Sequence, residues 1–223
     1  SRHFYWEENG LDKQTHSRVM GALTIGKTGT TLRVGYDMLK NYIYLGLQNQ
    51  RVTDGDNYLT KGIDVQVRQH GGNVGIFTAQ LEQNLQFGIL HWNSRLTYQK
   101  SGDEDVIALP ALNIYTNLFL RFKIARVLQC DLGGDLRWFT KYYAPEYIPG
   151  LSAFGMQETA DSKTKVGGYP LANVYANFNL KHTRFFVMMS HINASSGGDY
   201  FLTPHYPLNG RIFRFGVSWN FFN

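Results

Sequence analysis

The stretch Asn113–Ile124, "NIYTNLFLRFKI", alternates mainly apolar with mainly polar side chains. Successive side chains of an extended strand point to opposite faces, so this period predicts a β-strand with one oily and one wet face. Its length exceeds the ~5–6 residues usual for soluble strands and fits the ~9–11 that cross a bilayer when tilted. The apolar face holds Ile114, Thr116, Leu118, Leu120, Phe122 and Ile124, and the polar face holds Asn113, Tyr115, Asn117, Phe119, Arg121 and Lys123.

The same period of two recurs on both sides of this stretch. It is found in residues 15–26, 30–48, 73–87, 89–100, 127–141, 173–182 and 211–223. Together with a short opening strand, "HFYWEE", and a strand that follows residues 181–184, these segments predict ten strands and no helix. A phase slip near Leu39–Asn41 predicts a β-bulge, and parity places Cys130, the single cysteine, on the apolar side.

The predicted connections alternate strictly between short and long. Short ones fall near residues 27–29, 87–89, 125–126 and 181–184, and long ones near 9–14, 50–72, 101–108, 143–168 and 194–210. Greek-key sandwiches mix connection lengths at both ends, whereas outer-membrane barrels combine tight periplasmic turns with extended external loops. The alternation favours a meander between two environments. It leaves open whether the loops at 50–72 and 143–168 fold inward as constrictions or outward as a partner surface.

Composition agrees with strands that are apolar on one side only. Aromatic residues make up 15% of the chain although the mean hydropathy is −0.30. The period alone also fits a soluble protein, but the long strands, the mixed charges on the polar faces and the aromatic residues near strand ends favour lipid outside and water inside. We therefore predict an all-β, antiparallel, up-and-down transmembrane β-barrel, a single domain over residues 1–223, in the bacterial outer membrane. The net charge of +5 is scattered, which does not predict nucleic-acid binding.

One motif points to a different class of protein. Gly21–Thr28, "GALTIGKT", matches every fixed position of the phosphate-binding loop G-x-x-x-x-G-K-[ST]. That loop needs a helix after its last residue, whereas "GTTLRVGYDM" continues the strand pattern. Residues 26–29 therefore predict a tight hairpin turn with glycines at positive φ, and a nucleotide partner is not expected.

The C-terminal region carries a more specific signal. Arg214, Gly216, Trp219 and Phe221 resemble the final-strand signal read by the barrel-assembly machinery, although Asn223 rather than an aromatic residue comes last. "SGDEDVIALPALNIYTNLFLRFKI", "RWFTKYYAPEYIPG", "YPLANVYANFNLKHTRFFVMMSHIN" and "YFLTPHYPLNGRIFRFGVSWNFFN" resemble the closing part of the putative porin family of Bacteroidetes outer membranes. The resemblance extends from about Tyr42 to Asn223. Because members of that family are longer, it implies that these strands are the C-terminal part of a larger barrel.

The polar faces supply the candidate functional residues. The predicted pore-lining residues are Arg18, Arg33, Asp37, Glu82, Arg121, Lys123, Asp131, Asp135, Arg137, Lys141, Arg184 and Arg214. In a water-filled pore such charges set the ion preference, and the excess of basic side chains predicts a mild preference for anions or acidic solutes. The equal alternative is that the charges pair with one another and brace the wall. Tyr115, Tyr175 and Phe119 can either stack on sugars or fill space between strands.

Catalytic and metal-binding patterns are weak. Ser190 and His191 are adjacent, so in a strand they point to opposite faces, and His205 lies with Asp199 in the last long loop. The histidines show no His-x-x-x-His spacing, and "DGDNY" at 54–58 lacks the glutamate of an acidic calcium loop. We expect no catalytic residues, no metal and no cofactor.

These observations support two main hypotheses. In the first, the protein is a porin-like outer-membrane barrel that allows passive diffusion of small hydrophilic solutes. In the second, it is a structural or accessory barrel in a larger outer-membrane complex and conducts little. The expected partners are outer-membrane lipid, the barrel-assembly machinery and, in the second hypothesis, other outer-membrane subunits. An enzyme with its site at the barrel rim is a third hypothesis with weaker support.

Overall fold

The structure is a computed structural model that describes residues 10–54, 57–158, 163–198 and 200–220. The strands are β1 (Thr15–Ile25), β2 (Thr30–Lys40), β3 (Ile43–Asp54), β4 (Asn57–Gln69), β5 (Asn73–Phe87), β6 (Leu90–Ser101), β7 (Leu112–Ile124), β8 (Leu128–Phe139), β9 (Glu146–Ile148), β10 (Ala153–Gln157), β11 (Leu171–Leu180), β12 (Thr183–Ser190), β13 (Phe201–Thr203), β14 (Tyr206–Pro207) and β15 (Ile212–Trp219). Single 3-10 turns at Gly26–Thr28 and Pro149–Leu151 complete the regular structure of this part of the chain. Within it, no helix has the length and apolarity needed to cross a membrane.

Nine strands form one antiparallel sheet, in the order β1-β2-β5-β6-β7-β8-β11-β12-β15. Neighbours in the sheet follow one another along the chain, so the predicted all-β antiparallel meander is confirmed. β1 and β15 stand at opposite ends of this order, and over the residues that the structure describes they do not pair with each other. Closure into a barrel, the total strand number and the membrane placement therefore stay predictions. The expected opening strand "HFYWEE" lies outside the described residues.

Short and long connections lie at opposite ends of the strands, as predicted. We call these two sides of the sheet the short-turn edge and the long-connection edge. One edge carries the turns at 26–29, 88–89, 125–127 and 181–182, and the other carries the connections at 41–72, 102–111, 140–170 and 191–211. Along the described chain, each strand thus returns by a tight turn at one edge and by a long excursion at the other.

The match to the phosphate-binding loop lies on β1 and the first tight turn. Gly26–Thr28 forms one 3-10 turn, and β2 begins two residues later, so the predicted hairpin is confirmed. Gly29 has φ 62°, and a Cβ at this position would collide with the carbonyl oxygen of Asn84 on β5. The turn therefore needs glycine for packing against the sheet, and no helix follows it.

The predicted bulge near Leu39–Asn41 is instead a break between two strands. Asn41 adopts the left-handed conformation, with φ 53°, so the chain leaves the nine-stranded sheet after Lys40. Its N–H donates to the Gly72 carbonyl, and the chain then continues into the β3–β4 hairpin. The single strand predicted for 30–48 was wrong, and so was the loop predicted for 50–72, because most of that segment is β4.

The long connections build a second sheet beyond the edge, which we call the cap. It consists of four strands in the order β4-β3-β10-β9, and a short parallel pairing of Met156 with Gly46 joins the two hairpins. The segment predicted as a loop at 143–168 therefore contains β9 and β10. Arg68 donates to both carboxylate oxygens of Glu158, at 3.1 Å, and this contact raises the pKa of the Arg68 guanidinium.

The cap and the long connections, rather than the large sheet, hold most of the buried apolar side chains of the described chain. They are Leu45, Leu47, Val67 and Met156 in the cap, and Val106, Ala108, Ala144 and Val166 in the long connections. In the large sheet the buried apolar residues are Val74, Phe119 and Cys130. Cys130 lies on the predicted apolar side, but it is fully covered, since its register neighbours are Phe122 and Phe178. Among the described residues, buried apolar side chains are thus concentrated beside the long-connection edge.

The two faces of the large sheet are chemically distinct. We call the face with Leu23, Leu118 and Val174 the apolar face, and the face with Arg18, Asn117 and Asp135 the polar face. The apolar face exposes its large hydrophobic side chains: Leu118 is 51% exposed and Phe215 76%. Over the nine strands its charged residues are Lys40 and Lys100, both at the long-connection edge.

Aromatic side chains form two rows on the apolar face. The row near the long connections holds Tyr36, Phe77, Tyr98 and Phe213, and the row near the short turns holds Phe87, Trp92, Phe185 and Trp219. Along β5, at about 3.3 Å per residue and the tilt usual for such strands, Phe77 and Phe87 are separated by about 25 Å in height. This is the height of the apolar band between the aromatic girdles of outer-membrane barrels.

An arginine on the apolar face tests whether that face meets hydrocarbon. Leu96 is in the middle of β6, 40% exposed, with Leu81 and Ile114 as register neighbours. Leu96→Arg is expected to lower the free energy of unfolding in lipid vesicles by about 2–4 kcal/mol, the cost of a basic side chain near the bilayer midplane.

Asn93→Arg, on the polar face of the same strand, is the matched control and is expected to cost less than about 1 kcal/mol. Urea titration of the vesicle-inserted protein measures both values. Equal costs for the two variants would mean that the exposed leucine row is not in contact with lipid.

Candidate functional site: the polar face of the sheet

The register places eleven of the twelve predicted pore-lining residues on the polar face. Rows across the strands bring Arg18 beside Asp37 and Arg121 beside Asp131, while Asp135 lies beside Asn173. Lys141 is the exception, because β8 ends at Phe139 and the chain has already turned into the 140–170 connection. The predicted placement of Lys141 on the strand was wrong, since it extended the alternation past the end of β8; its role as a pore-lining residue stays a prediction. Whether the polar face lines a pore stays a prediction.

Each of the four carboxylates of this set is paired with an arginine. Asp37 Oδ1 accepts from Arg18 Nε at 2.7 Å and contacts His16 Nε2 at the same distance. Asp131 forms the tightest two-point pair, with Arg121 Nε at 2.8 Å and Nη2 at 2.9 Å. For these four carboxylates, the structure therefore agrees with the alternative in which charges of the polar face pair with one another.

Two of these carboxylates are shared or weakly held. Glu82 lies between two arginines, 2.7 Å from Arg33 Nη1 and 2.9 Å from Arg95 Nε. Asp135 Oδ1 is 4.0 Å from Arg137 Nε and accepts instead from Asn173 Nδ2 at 2.9 Å. Around these groups the positive charges therefore outnumber the negative ones, and Arg137 is the least constrained.

Some basic side chains of the polar face have no carboxylate partner. Arg184 Nη2 donates to Asn177 Oδ1 at 2.7 Å. Lys123 and Arg214 are exposed, and neither forms an ion pair within the described part of the chain. Arg184 and Lys123 lie at the short-turn ends of their strands, whereas Arg214 is the third residue of β15, close to the 191–211 connection.

The aromatic side chains of the polar face differ in accessibility. Phe119 is 8% exposed, stacked on His91 with 4.8 Å between ring centroids and covered by Arg121 at 5.1 Å. It fills space between strands, as the second of the two sequence interpretations has it. The Tyr175 hydroxyl donates to Asn117, whereas Tyr115 remains partly exposed beside Arg137.

Arg95 is the functional candidate that sequence reasoning missed. It lies on β6 directly between Glu82 and Tyr115 in the register, so it belongs to the same face as the predicted set. The signal was available, because Arg95 alternates with Ser94 and Leu96 in "WNSRLTY". Its partner Glu82 is 13 residues earlier, and that pairing depends on the register of the β5–β6 hairpin.

A cavity of about 470 Å³ lies where the polar face meets the long connections. Arg95, Tyr115 and Arg137 belong to its sheet side, and Tyr169, Tyr200 and Phe201 to its connection side. The 140–170 and 191–211 connections therefore fold over this end of the polar face. Gly167 from the loop at 143–168 lines this cavity, and whether that loop constricts a lumen or faces a partner stays open.

Ser190 and His191 do not form a catalytic pair. Ser190 is on the polar face as the last residue of β12, while both ring nitrogens of His191 are engaged elsewhere. Nε2 is 2.8 Å from the Tyr169 hydroxyl, and Nδ1 is 2.7 Å from the Asn209 carbonyl oxygen. Among the described residues, no group of three His, Cys, Asp or Glu side chains can hold a metal ion. Asp199 and part of the "DGDNY" segment lie outside those residues.

The residues of the predicted assembly signal are divided between the two faces of β15. Arg214 and Gly216 are on the polar face, and Trp219 is on the apolar face with 62% exposure. Phe221 lies outside the described residues. Recognition by the assembly machinery stays a prediction.

Comparison with known proteins gives one family and one fold. The model of a family described as "Putative porin" matches residues 1–223. No curated protein matches the sequence. The siderophore receptor PirA from Acinetobacter baumannii has a similar fold, with a TM-score of 0.54 and 13% identity over 92% of this chain. The chain spans 31% of that receptor's length.

The two-point pair between Arg121 and Asp131 is testable by its contribution to stability. Asp131→Asn keeps the shape but removes the charge, so we expect the free energy of unfolding to fall by about 1.5–3 kcal/mol. Asp135→Asn is the matched comparison and should cost less, because its arginine is 4.0 Å away. Urea unfolding in lipid vesicles distinguishes them, and equal losses would contradict the geometry of the pairs.

Proposed function

The chain belongs to the family described as putative porins, and on this premise we propose that it forms part of the wall of an outer-membrane β-barrel through which small hydrophilic solutes diffuse. The observation that carries the proposal is the division of the large sheet into two faces. One face exposes hydrophobic side chains and confines its two lysines to one edge, and the other collects the remaining charges. Such a sheet suits a boundary between lipid and water.

Backbone chemistry supports the same placement. In hydrocarbon every N–H and C=O needs a partner, which a sheet ladder provides along the full length of each strand. Polar side chains on the apolar face follow this rule, since the indole N–H of Trp92 donates to Thr116 at 2.8 Å. Among the described residues, no buried side-chain nitrogen or oxygen lacks a hydrogen-bond partner.

The proposed solute preference follows from the charges of the polar face. In the nine strands this face carries eight arginine and lysine side chains against four carboxylates. Anions and acidic solutes are therefore favoured over cations, and no covalent chemistry or cofactor is needed. The outward location of the long connections follows by analogy with outer-membrane barrels, whose extended loops are extracellular.

A second candidate function is that of an accessory barrel that conducts little. It is favoured by the inward fold of the 140–170 and 191–211 connections, which cover one end of the polar face. Arginine–carboxylate pairs across the strands would also brace a wall without an open lumen. In this case the cap would present a surface to other outer-membrane subunits.

Conductance of the full-length protein in planar bilayers separates these two functions. Steady ohmic steps with a reversal potential that favours anions are expected for the diffusion pore. Lys123→Glu together with Arg214→Glu should move the reversal potential toward cation preference, because both side chains lie on the polar face without an ion-pair partner in the described chain.

Lys27→Glu is the control for this charge reversal, since Lys27 is exposed in the β1–β2 turn. It should leave the reversal potential unchanged. A silent bilayer with correctly inserted protein would favour the accessory function. Open channels whose reversal potential is unchanged in the double variant would show that this face does not line the conducting path.

A further inference from the structure

We propose that the cavity between the polar face and the long connections binds a small organic acid in which a carboxylate is attached to a flat apolar ring. The cavity, about 470 Å³, has the volume of a small-molecule site, which is usually ~300–1,000 Å³. Its two sides differ in chemistry, and that difference specifies the ligand. The proposal goes beyond diffusion, because a site can bind its ligand whether or not the barrel conducts.

The sheet side of the cavity is cationic. Arg95, Tyr115 and Arg137 are direct neighbours across β6, β7 and β8, so the two guanidinium groups flank one tyrosine ring. Arg137 Cζ is 5.4 Å from the centroid of that ring, which fixes the side chain over the sheet. Asn113 and Thr97 add neutral hydrogen-bonding groups to the same side.

Arg137 is the cation available to a ligand. Its side chain is 67% exposed, and its carboxylate neighbour Asp135 is 4.0 Å away and already accepts from Asn173. Arg95, by comparison, donates its Nε–H to Glu82 at 2.9 Å. A guanidinium with free donors in a fixed fork matches the two oxygens of a carboxylate.

The connection side of the cavity is aromatic and apolar. Tyr169, Tyr200 and Phe201 line it together with Leu202 and Leu208. The rings of Tyr169 and Tyr200 are 5.7 Å apart, and those of Tyr200 and Phe201 are 6.4 Å apart. These rings offer a flat apolar body a surface opposite the arginines.

His191 fixes this aromatic side relative to the sheet. It is 3% exposed; its backbone N–H donates to Asn173 Oδ1 on β11, and its ring contacts both Tyr169 and Tyr200. The Tyr169 hydroxyl is 2.8 Å from His191 Nε2 and 2.8 Å from the Asn193 carbonyl. A site whose walls are already ordered loses less entropy when a ligand binds.

The ligand class follows from both sides together. A cation is disfavoured by the two arginines, and a neutral ring would leave Arg137 without a partner. A simple anion such as acetate would leave the aromatic side in contact with water. A ring acid satisfies the guanidinium and covers the apolar surface at once.

Three probes test this on the unaltered full-length protein in detergent by calorimetric titration. They are 2-naphthoate, the neutral 2-naphthylmethanol with the same ring system, and acetate. We expect 2-naphthoate to bind at least about tenfold more tightly than either of the others, because only it meets both sides of the site.

Two arginine variants locate the effect. Arg137→Gln is expected to remove the advantage of 2-naphthoate over the alcohol, leaving the two within about twofold. Arg126→Gln is the control, since Arg126 is exposed in the β7–β8 turn and outside the cavity, and it should retain the full advantage. Gel mobility with and without heating confirms that each variant is folded.

Equal affinity for the acid and the alcohol would overturn the proposal, and that measurement requires no variant. Equal effects of Arg137→Gln and Arg126→Gln would overturn it as well, by assigning binding to the general positive charge of the protein. Tyr200→Leu should weaken the binding of both 2-naphthoate and 2-naphthylmethanol by several-fold. If the protein binds 2-naphthoate but does not conduct in bilayers, that result contradicts the diffusion function and not this binding site.

Discussion

The whole molecule depends on a backbone that satisfies its own hydrogen bonds while its side chains divide between an apolar face and a polar face. A β-ladder can do this over a strand of ten or more residues, because alternate side chains point to opposite faces. The apolar face then carries no charged side chain between the long-connection edge, where Lys40 and Lys100 lie, and the short turns. The alternation of connections follows, since a chain that meanders between two edges meets the same surroundings at every second turn.

The charges of the polar face are a consequence of the same division. Side chains that cannot face hydrocarbon are concentrated on one face, so arginines and carboxylates meet their register neighbours there. Glu82 between Arg33 and Arg95 shows the result, a carboxylate shared by two cations. Because cations are in excess, some remain without a carboxylate, and those are the groups that a solute or a ligand can meet. The proposed diffusion and the proposed selective binding therefore rest on one charge imbalance.

Most of the face assignment could be predicted from the sequence, because parity within a strand is a local property. Arg121, Asp131 and Arg184 lie where their parity placed them. Errors arose where a strand ends, since alternation does not mark its own limit: Lys141 lies beyond β8, and Asn41 breaks a strand rather than inserting a bulge. The positive φ of Asn41 follows from the tertiary step into the cap, which no local pattern encodes.

Contacts between distant segments were harder to predict for a related reason. The end of β3 and all of β4 were assigned to a long loop at residues 50–72. These residues nevertheless form strands, since β10 from another connection pairs with β3 of the hairpin. Leu45, Leu47 and Met156 are buried where the two segments meet. Likewise the cavity joins β6, β7 and β8 to residues 200–202. Neither assembly has a signature within a single stretch of sequence.

The large sheet and the cap differ in the exposure of their apolar side chains. The sheet exposes its leucines and phenylalanines, so a hydrophobic contribution from them requires an apolar covering, which lipid supplies in the proposed placement. The cap buries Leu47 and Val67 within protein, and Arg68 forms a two-point ion pair with Glu158. The cavity lies at the junction of the two, with one side on the sheet and the other on connections anchored through His191. Its shape therefore depends on both parts being in place, so the proposed membrane placement of the sheet and the proposed ligand site meet at this junction.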